Sequence, residues 1–350
     1  MAYTTIDNPE LHFQTVLYTG NGSSGHAITL DGDENMQPDW VWIKSRSDTE
    51  QHTLYDSSRG STKRLMSDGT NVEYVDAGQG LQSFDSDGFT LGENDQNNKS
   101  SQSCVAWCWK ANGTGSSNTA GSINTTATSA NTTSGFSIVT YTGDENSSAT
   151  LGHGLGAVPK YIVTKGRTYA SSWATFHASQ GATKWFQGSE TDAVATASTI
   201  WNDAEPTSTL FTVGSSNQVN DDYTYVAYVF AEIQGFSKFG SYTGNGNADG
   251  PFAYTGFKPA WLLIKESSGV EDWRLYDNKR SPFNVMDDQL FPNDSAAEAT
   301  SSSYYLDFLS NGFKIRSSHG GYNTDDDTYI YMAFAEQPFV TSGGVPCTAR

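Results

Sequence analysis

The 350-residue chain is poor in cations, in cysteine and in long apolar runs. It carries 20 Lys and Arg against 39 Asp and Glu, a formal net charge of −19. Nucleic acid and anionic membrane surfaces both need cations on a partner, so neither is expected here. The three cysteines are Cys104, Cys108 and Cys347, with no Cys/His metal spacing. Cys104 and Cys108 lie four positions apart on one predicted strand. At ~3.3 Å per residue that is about 13 Å, too far for a disulfide. The fold is therefore expected to stand without disulfides, as suits a reducing cytoplasm. No apolar run reaches the ~18 residues of a membrane span, and residues 1–5 do not read as a signal peptide. Missing too is any sustained helical stripe with a cap and a glycine stop.

What the chain does have is a repeat, and periodicity is read before any fold. Tyr18-Thr19-Gly20-Asn21 returns as Tyr141-Thr142-Gly143-Asp144 and as Tyr242-Thr243-Gly244-Asn245. Pro38 to Lys44 aligns with Pro159 to Lys165 and Pro259 to Lys265. Leu54-Tyr55-Asp56 matches Leu275-Tyr276-Asp277, with Thr175-Phe176-His177 as the divergent middle copy. Each copy closes on an aromatic strand, Cys104 to Trp109, Tyr225 to Phe230 and Tyr329 to Phe334. These segments are short, rich in Val, Ile, Tyr, Trp and Phe, and bounded by Gly, Pro, Asn, Asp and Ser, so they read as strands. Trp40 to Ile43 is apolar without alternation, as in a strand covered on both faces. Many short strands and Gly-rich turns in a unit of about 100 residues predict an all-β fold of β-sandwich or jelly-roll modules.

The repeat divides the chain into an N-terminal arm (1–12), repeat one (13–110), repeat two (136–235), repeat three (236–339) and a tail (340–350). Residues 111–135 are low in complexity and are expected to be a flexible linker spanning roughly 25–30 Å. The join at Ile233-Gln234-Gly235 is so short that repeats two and three should pair rigidly.

No catalytic group emerges. There is no Gly-x-Ser-x-Gly elbow, and the six histidines share no pattern, so they read as surface or turn residues. A glycosidase needs carboxylates about 5 Å apart. The close acid pairs Asp31/Asp33, Asp85/Asp87 and Glu93/Asp95 lie in turns, which makes a glycan hydrolase the weakest reading. Asp56 and Arg59 recur as Asp277 and Arg280, and are read as a structural ion pair. Asp221 and Asp222, and Asp325, Asp326 and Asp327, occupy equivalent loops whose oxygens could hold calcium, but their spacing matches no EF-hand and a polar hairpin turn is the preferred reading. Aromatics outside the common framework are candidates for sugar stacking: Trp185 and Trp201, the latter beside Asp203, and Tyr304 with Tyr305.

Taken together, Tyr-Thr-Gly-Asn-Gly, the Pro-x-Trp-x-x-Ile-Lys strand, Phe84 to Phe89, the closing Tyr-x-Tyr-x-Ala-Phe-Ala-Glu strand and the Pro338 to Arg350 tail resemble tandem modules in virion proteins of tailed marine bacteriophages. That resemblance implies three tandem concanavalin/laminin-G-like jelly rolls in a non-enzymatic structural protein. It offers no site residues. It implies assembly in the host cytoplasm, release by lysis and a place on the virion. Other capsid or tail proteins are the expected partners. On this reading the chain is a tail or capsid appendage, or adhesin, touching host-surface glycans. The alternative is a decoration or fibre component with protein contacts only. A homo-oligomer, such as the trimer common among fibres, is expected on symmetry grounds.

Overall fold

The computed structural model describes residues 2–301 and 303–347. The fold is all-β, built of layered antiparallel sheets. Near the N-terminus β1 (Phe13–Thr19), β2 (Trp40–Ser45), β3 (Thr53–Asp56) and β4 (Ser103–Trp109) form a sheet in the order β1-β4-β2-β3. Next come β5 (Ala127–Asn131), β6 (Phe136–Thr142), β7 (Pro159–Gly166), β8 (Ala174–His177) and β9 (Thr224–Ala231). Their order is β5-β6-β9-β7-β8, continued by two short strands at Lys184–Gln187 and Ala195–Thr196. Last are β10 (Ser237–Thr243), β11 (Phe257–Glu266), β12 (Arg274–Asp277) and β13 (Thr328–Pro338), in the order β10-β13-β11-β12. The repeated motif keeps its register: Tyr18 faces Cys104, Tyr141 faces Tyr225 and Tyr242 faces Tyr329.

A smaller sheet packs on one face of each main sheet. It has three strands beside the first (His26–Thr29, Gly88–Leu91, Leu81–Asp85) and third (Phe252–Tyr254, Gly312–Ile315, Leu306–Leu309). Beside the second it has only two, Ala149–Gly152 and Leu210–Val213. Each main sheet and its cover make one unit.

Period-two alternation sorts the main-strand side chains into two cores. Val41, Ile43, Ala106 and Cys108 face the first unit's own cover. Trp40, Trp42, Val105, Trp107 and Trp109 face the other way, into a core shared with the other units. The second unit sends Tyr161, Val163, Val226, Tyr228 and Phe230 there, and the third sends Trp261, Leu263, Ile330, Met332 and Phe334. Aromatic pairs join the units. Trp40 stacks on Tyr228 at 4.4 Å, Trp109 meets Trp261 edge-on at 5.5 Å, and Tyr161 stacks on Phe239 at 6.2 Å. Such pairs are worth about 0.5–1.5 kcal/mol each beyond the area they bury. The unbroken apolar run at Trp40–Ile43 thus has a specific cause: both faces of the strand are core.

A polar relay crosses two of the three seams. Tyr228 donates its hydroxyl to Asp56 Oδ2 at 2.7 Å, and Trp107 donates Nε1–H to Asp277 Oδ2 at 3.0 Å. Each aspartate pairs with the arginine three residues on, Arg59 or Arg280, and all four side chains are fully buried. The arginines continue to Glu73 and Glu298. Those glutamates in turn receive Arg167 and Arg46 from the neighbouring unit. At the third seam β13 carries Met332 where β4 has Trp107 and β9 has Tyr228. Methionine offers no donor, and facing this strand stands His177, whose Nε2 bonds the Tyr331 carbonyl at 3.1 Å. Gln180, Val194 and Ser267 replace the two arginines and the glutamate. The backbone contact that marks these positions persists, with Val194 N–H on Ser267 O as Glu73 N–H is on Arg167 O. Five positions change together because a half-satisfied buried network costs more than none.

Two expectations are corrected. Residues 111–135 do not form a free linker. Ala111 N–H reaches Asp39 Oδ2 at 2.8 Å, Ile123 is buried in the second unit's inner core, and β5 pairs with β6 in the main sheet. Small Ala, Ser and Thr side chains hid a strand whose stability comes from backbone pairing and close packing rather than apolar alternation. The histidines are not all surface residues: His52, His153 and His177 are buried. His52 accepts from Trp42 Nε1 at 2.8 Å and meets the Phe291 carbonyl at 3.0 Å, another contact between units. The arm also packs, with Ile6 in the shared core and the Tyr3 hydroxyl on the Gly256 carbonyl at 2.7 Å.

Asp277→Ala should destabilise the chain by about 3–5 kcal/mol in urea unfolding, because Arg280 is left charged and buried. Tyr228→Phe, which deletes only a hydroxyl, should cost about 1–2 kcal/mol. Acid should weaken the third seam. His177 is neutral, with Nδ1 accepting from Ser179 Oγ at 2.8 Å, and burial pushes its pKa down to about 4. The unfolded chain binds a proton near pH 6.5 that the folded chain refuses until about pH 4. Stability is therefore complete above ~6.5 and falls by about 3 kcal/mol between these values. Thermal melts from pH 7 to 4 should show a shallower loss in His177→Gln.

Candidate functional site

The Tyr-Thr-Gly-Asn motif clasps a loop at the outer end of each unit. Tyr18, Tyr141 and Tyr242 donate their hydroxyls to the carbonyls of Asn97, Val219 and Tyr322 at 2.6, 2.6 and 2.8 Å. The next residue in each case is a buried asparagine, Asn98, Asn220 or Asn323. Its Oδ1 accepts from the backbone N–H of Asn21, Asp144 or Asn245 at 2.9–3.0 Å. Its Nδ2 donates back across the loop, as from Asn323 to the carbonyls of Asn247 and Ser317 at 2.7 Å. The intervening glycine is required by contact. A Cβ on Gly20, Gly143 or Gly244 would lie 2.0–2.3 Å from the carbonyl oxygen of Lys99, Asp221 or Thr324.

Three equivalent lysines end the second strands. Lys44, Lys165 and Lys265 are buried, and burial pushes their pKa values down to about 8, 7 and 8. Each Nζ donates to main-chain carbonyls, including Ser45, Thr70 and Glu266 at 2.8, 3.1 and 2.7 Å. A threefold-repeated ammonium tied to carbonyls fastens loops, and the carbonyls oppose the loss of its proton. At the centre of the shared core lies a cavity of about 50 Å³ lined by Trp40, Trp109, Tyr161, Trp173 and Trp261. That is far below the ~300 Å³ of a small-molecule site.

The third unit differs at its outer end. Tyr305, Ser303, Ser317, Ser318, His319 and Ala248 line an open cleft of about 350 Å³. Behind it Tyr304 packs edge-on against His319 at 4.2 Å, and the Arg274 guanidinium lies 5.2 Å from the Tyr304 ring centre. Arg274 is fixed by Gln289 Oε1 at 2.9 Å and Glu271 Oε2 at 3.0 Å. His319 Nδ1 accepts from Gly321 N–H at 3.0 Å, which assigns the ring proton to Nε2. Burial and the nearby Arg274 lower its pKa, so the ring is neutral. Among the described residues, the Tyr305 hydroxyl, Ser318 Oγ and His319 Nε2 have no protein partner. The cleft thus offers one aromatic ring, hydroxyls that both give and accept, and an N–H donor.

Of the residues singled out from sequence, Tyr304 and Tyr305 come together here, Tyr304 as backing and Tyr305 as lining. Trp185 and Trp201 are corrected: they are only 8% and 2% exposed, inside the second unit's inner core. Trp185 precedes Phe186, whose pairing with Thr175 repeats the Leu65–Leu54 and Leu290–Leu275 bridges, so it stands where the other units bury Arg64 and Gln289. Trp201 and Ile200 lie on the short helix Ser198–Trp201 and pack in the same core, Trp201 edge-on to Phe176 at 6.1 Å. Asp203 is exposed and apart from a usable ring. Asp221, Asp222, Asp325, Asp326 and Asp327 lie in loop turns, where Asp221 and Asp327 accept local hydrogen bonds. Asp222 N–H bonds Asp221 Oδ1 at 2.8 Å, and Ser268 Oγ bonds Asp327 Oδ1 at 3.0 Å. No three His, Cys, Asp or Glu side chains gather for a metal among the described residues. Sequence reasoning missed His319 and the seam partners. The signal for the latter was present, since repeat two loses the aspartate at His177 and repeat three loses the facing donor at Met332.

The chain matches the family described as "Domain of unknown function (DUF7483)" over residues 8–338, and it belongs to that family. The match runs unbroken through all the main sheets and residues 111–135. No curated protein and no solved structure matches.

Asn323→Ala should remove the clasp behind the cleft and leave two carbonyls unpaired, costing about 2–3 kcal/mol. Calorimetry measures that cost, and amide exchange should accelerate at residues 245–247.

Proposed function

We propose that this DUF7483-family chain is a non-enzymatic structural protein of a tailed-phage particle, an appendage that contacts host-surface glycans through the Tyr305–His319 cleft. The cleft carries the reading. A sugar presents an apolar C–H face to an aromatic ring and hydroxyls to mixed donors and acceptors. Tyr305 supplies the ring, while Ser318 and His319 supply the polar groups. Mounting on a block with a common core favours recognition, because a rigid site loses little entropy on binding. The net charge of −19 favours uncharged sugars over acidic ones. The particle setting rests on the sequence resemblance to virion modules. A decoration role with protein contacts only is the second reading, supported by the apolar Phe283, 78% exposed on the third unit.

A glycan array probed with the full chain tests the first reading. Selective binding of neutral glycans is expected, weakened about 10–100-fold by Tyr305→Ala with the melting temperature unchanged. A blank array moves the reading to decoration. Failure of antibodies against the chain to label purified particles removes the virion setting itself.

A further inference from the structure

The internal repeat shows what covers the edge of a main sheet. In the second unit that edge is closed: β5 pairs with β6 from Ala127 opposite Thr140 to Asn131 opposite Phe136. Thr126 N–H extends the pairing to the Thr140 carbonyl at 2.7 Å. Aligned on Tyr141 and Tyr242, Thr140 corresponds to Ser241 and Ile138 to Phe239. The corresponding edge of the third unit is β10, and among the described residues no strand pairs with its outer side.

Ladder alternation identifies the free groups. Gly244 N–H bonds inward to the Asp327 carbonyl at 2.8 Å, so Phe239, Ser241 and Thr243 point their N–H and C=O outward. Ser241 and Thr243 are exposed, and their N–H groups have no partner among the described residues. Phe239 N–H meets only the Glu232 carboxylate, at 3.4 Å, a side chain standing where a neighbouring strand's carbonyl would be. The first unit covers only the first half of its edge, and Leu17 and Thr19, the counterparts of Ser241 and Thr243, are exposed. In the covered half Gln14 Nε2 ties to the Glu10 and Glu34 carbonyls at 2.9 and 2.8 Å, and β1 is buried from Phe13 to Val16.

We infer that β10 is a docking edge for an extended, uncharged, Ser/Thr/Ala-rich strand of another polypeptide, paired antiparallel in the register that β5 takes on β6. Backbone bonds supply the attraction and small side chains permit the approach. The occupant's chemistry follows from β5 (Ala-Thr-Ser-Ala-Asn), which the same framework already accepts. Lys238 and Glu232, paired at 2.7 Å on the same edge, leave no net charge there for a charged strand to meet. The net charge of −19 disfavours an acidic strand and also a second copy of the chain. This edge is separate from the glycan cleft and does not depend on that reading.

The probe is an acetylated, amidated peptide of residues 124–132 added in trans to the full chain. Residue-resolved amide exchange is the readout. Ser241 and Thr243 should exchange fast in the dilute chain, and slow about 10-fold with millimolar peptide. Ser241→Pro deletes only an outward N–H and should abolish the effect without changing the melting temperature. Thr243→Pro at the strand end is the second variant, should Ser241→Pro fail to fold. Three results would each overturn the proposal. The first is protection of Ser241 equal to that of Thr140 in the dilute chain. The second is protection that grows with protein concentration and no peptide, which marks a second copy. The third is no slowing at saturating peptide.

Discussion

The central strands of every main sheet are buried on both faces, and the rest of the architecture follows from that constraint. One side of each sheet faces its own cover and the other faces the sheets of the other units. A strand between two cores cannot carry charge in its middle. Polar side chains are therefore pushed to strand ends and outward loops, where Lys44, Lys165 and Lys265 are tied to carbonyls and the Tyr-Thr-Gly-Asn loops are clasped by asparagine. The loops are left free to vary because the framework behind them does not, and it is there that the third unit develops its Tyr305 cleft.

The seams show how a buried polar network behaves when its members are interdependent. Asp56 needs Arg59, Arg59 needs Glu73, and Glu73 is shared with Arg167. Removing one member would strand the others in low dielectric. The second-to-third seam lacks the donor at Met332 and with it lacks every later member of the chain. It is also the seam with the shortest covalent connection, Ile233 to Gly235, where the backbone turns straight into β10. The seams that carry the relays join sheets linked by a longer segment or by none.

Much of this was legible in the sequence. The repeat placed the main strands, and the unbroken apolar run at Trp40–Ile43 announced a strand covered twice. The sequence did not say what covers the second face. An outward-facing Trp109 reads the same whether it meets another unit or a partner protein. Residues 111–135 were misread because a strand of Ala, Thr and Ser has no hydrophobic signature, and its stability is in the backbone. Trp185 and Trp201 were misread because absence from the repeat was equated with exposure. In fact Trp185 stands where the other units bury the polar Arg64 and Gln289, so a position unlike its counterparts can still be core. Tyr304 and Tyr305 are also unlike their counterparts, and both are partly exposed at the third unit's outer end.

The distribution of tryptophan has an optical consequence. Seven of the nine indoles, Trp40, Trp42, Trp107, Trp109, Trp173, Trp261 and Trp273, lie in the shared core, and the other two lie in the second unit's inner core. Neighbouring rings are as close as 4.5 Å. Excitation absorbed in one unit is therefore passed to its neighbours before it is emitted. The ultraviolet emission of this chain belongs to the junction of its sheets rather than to any one of them.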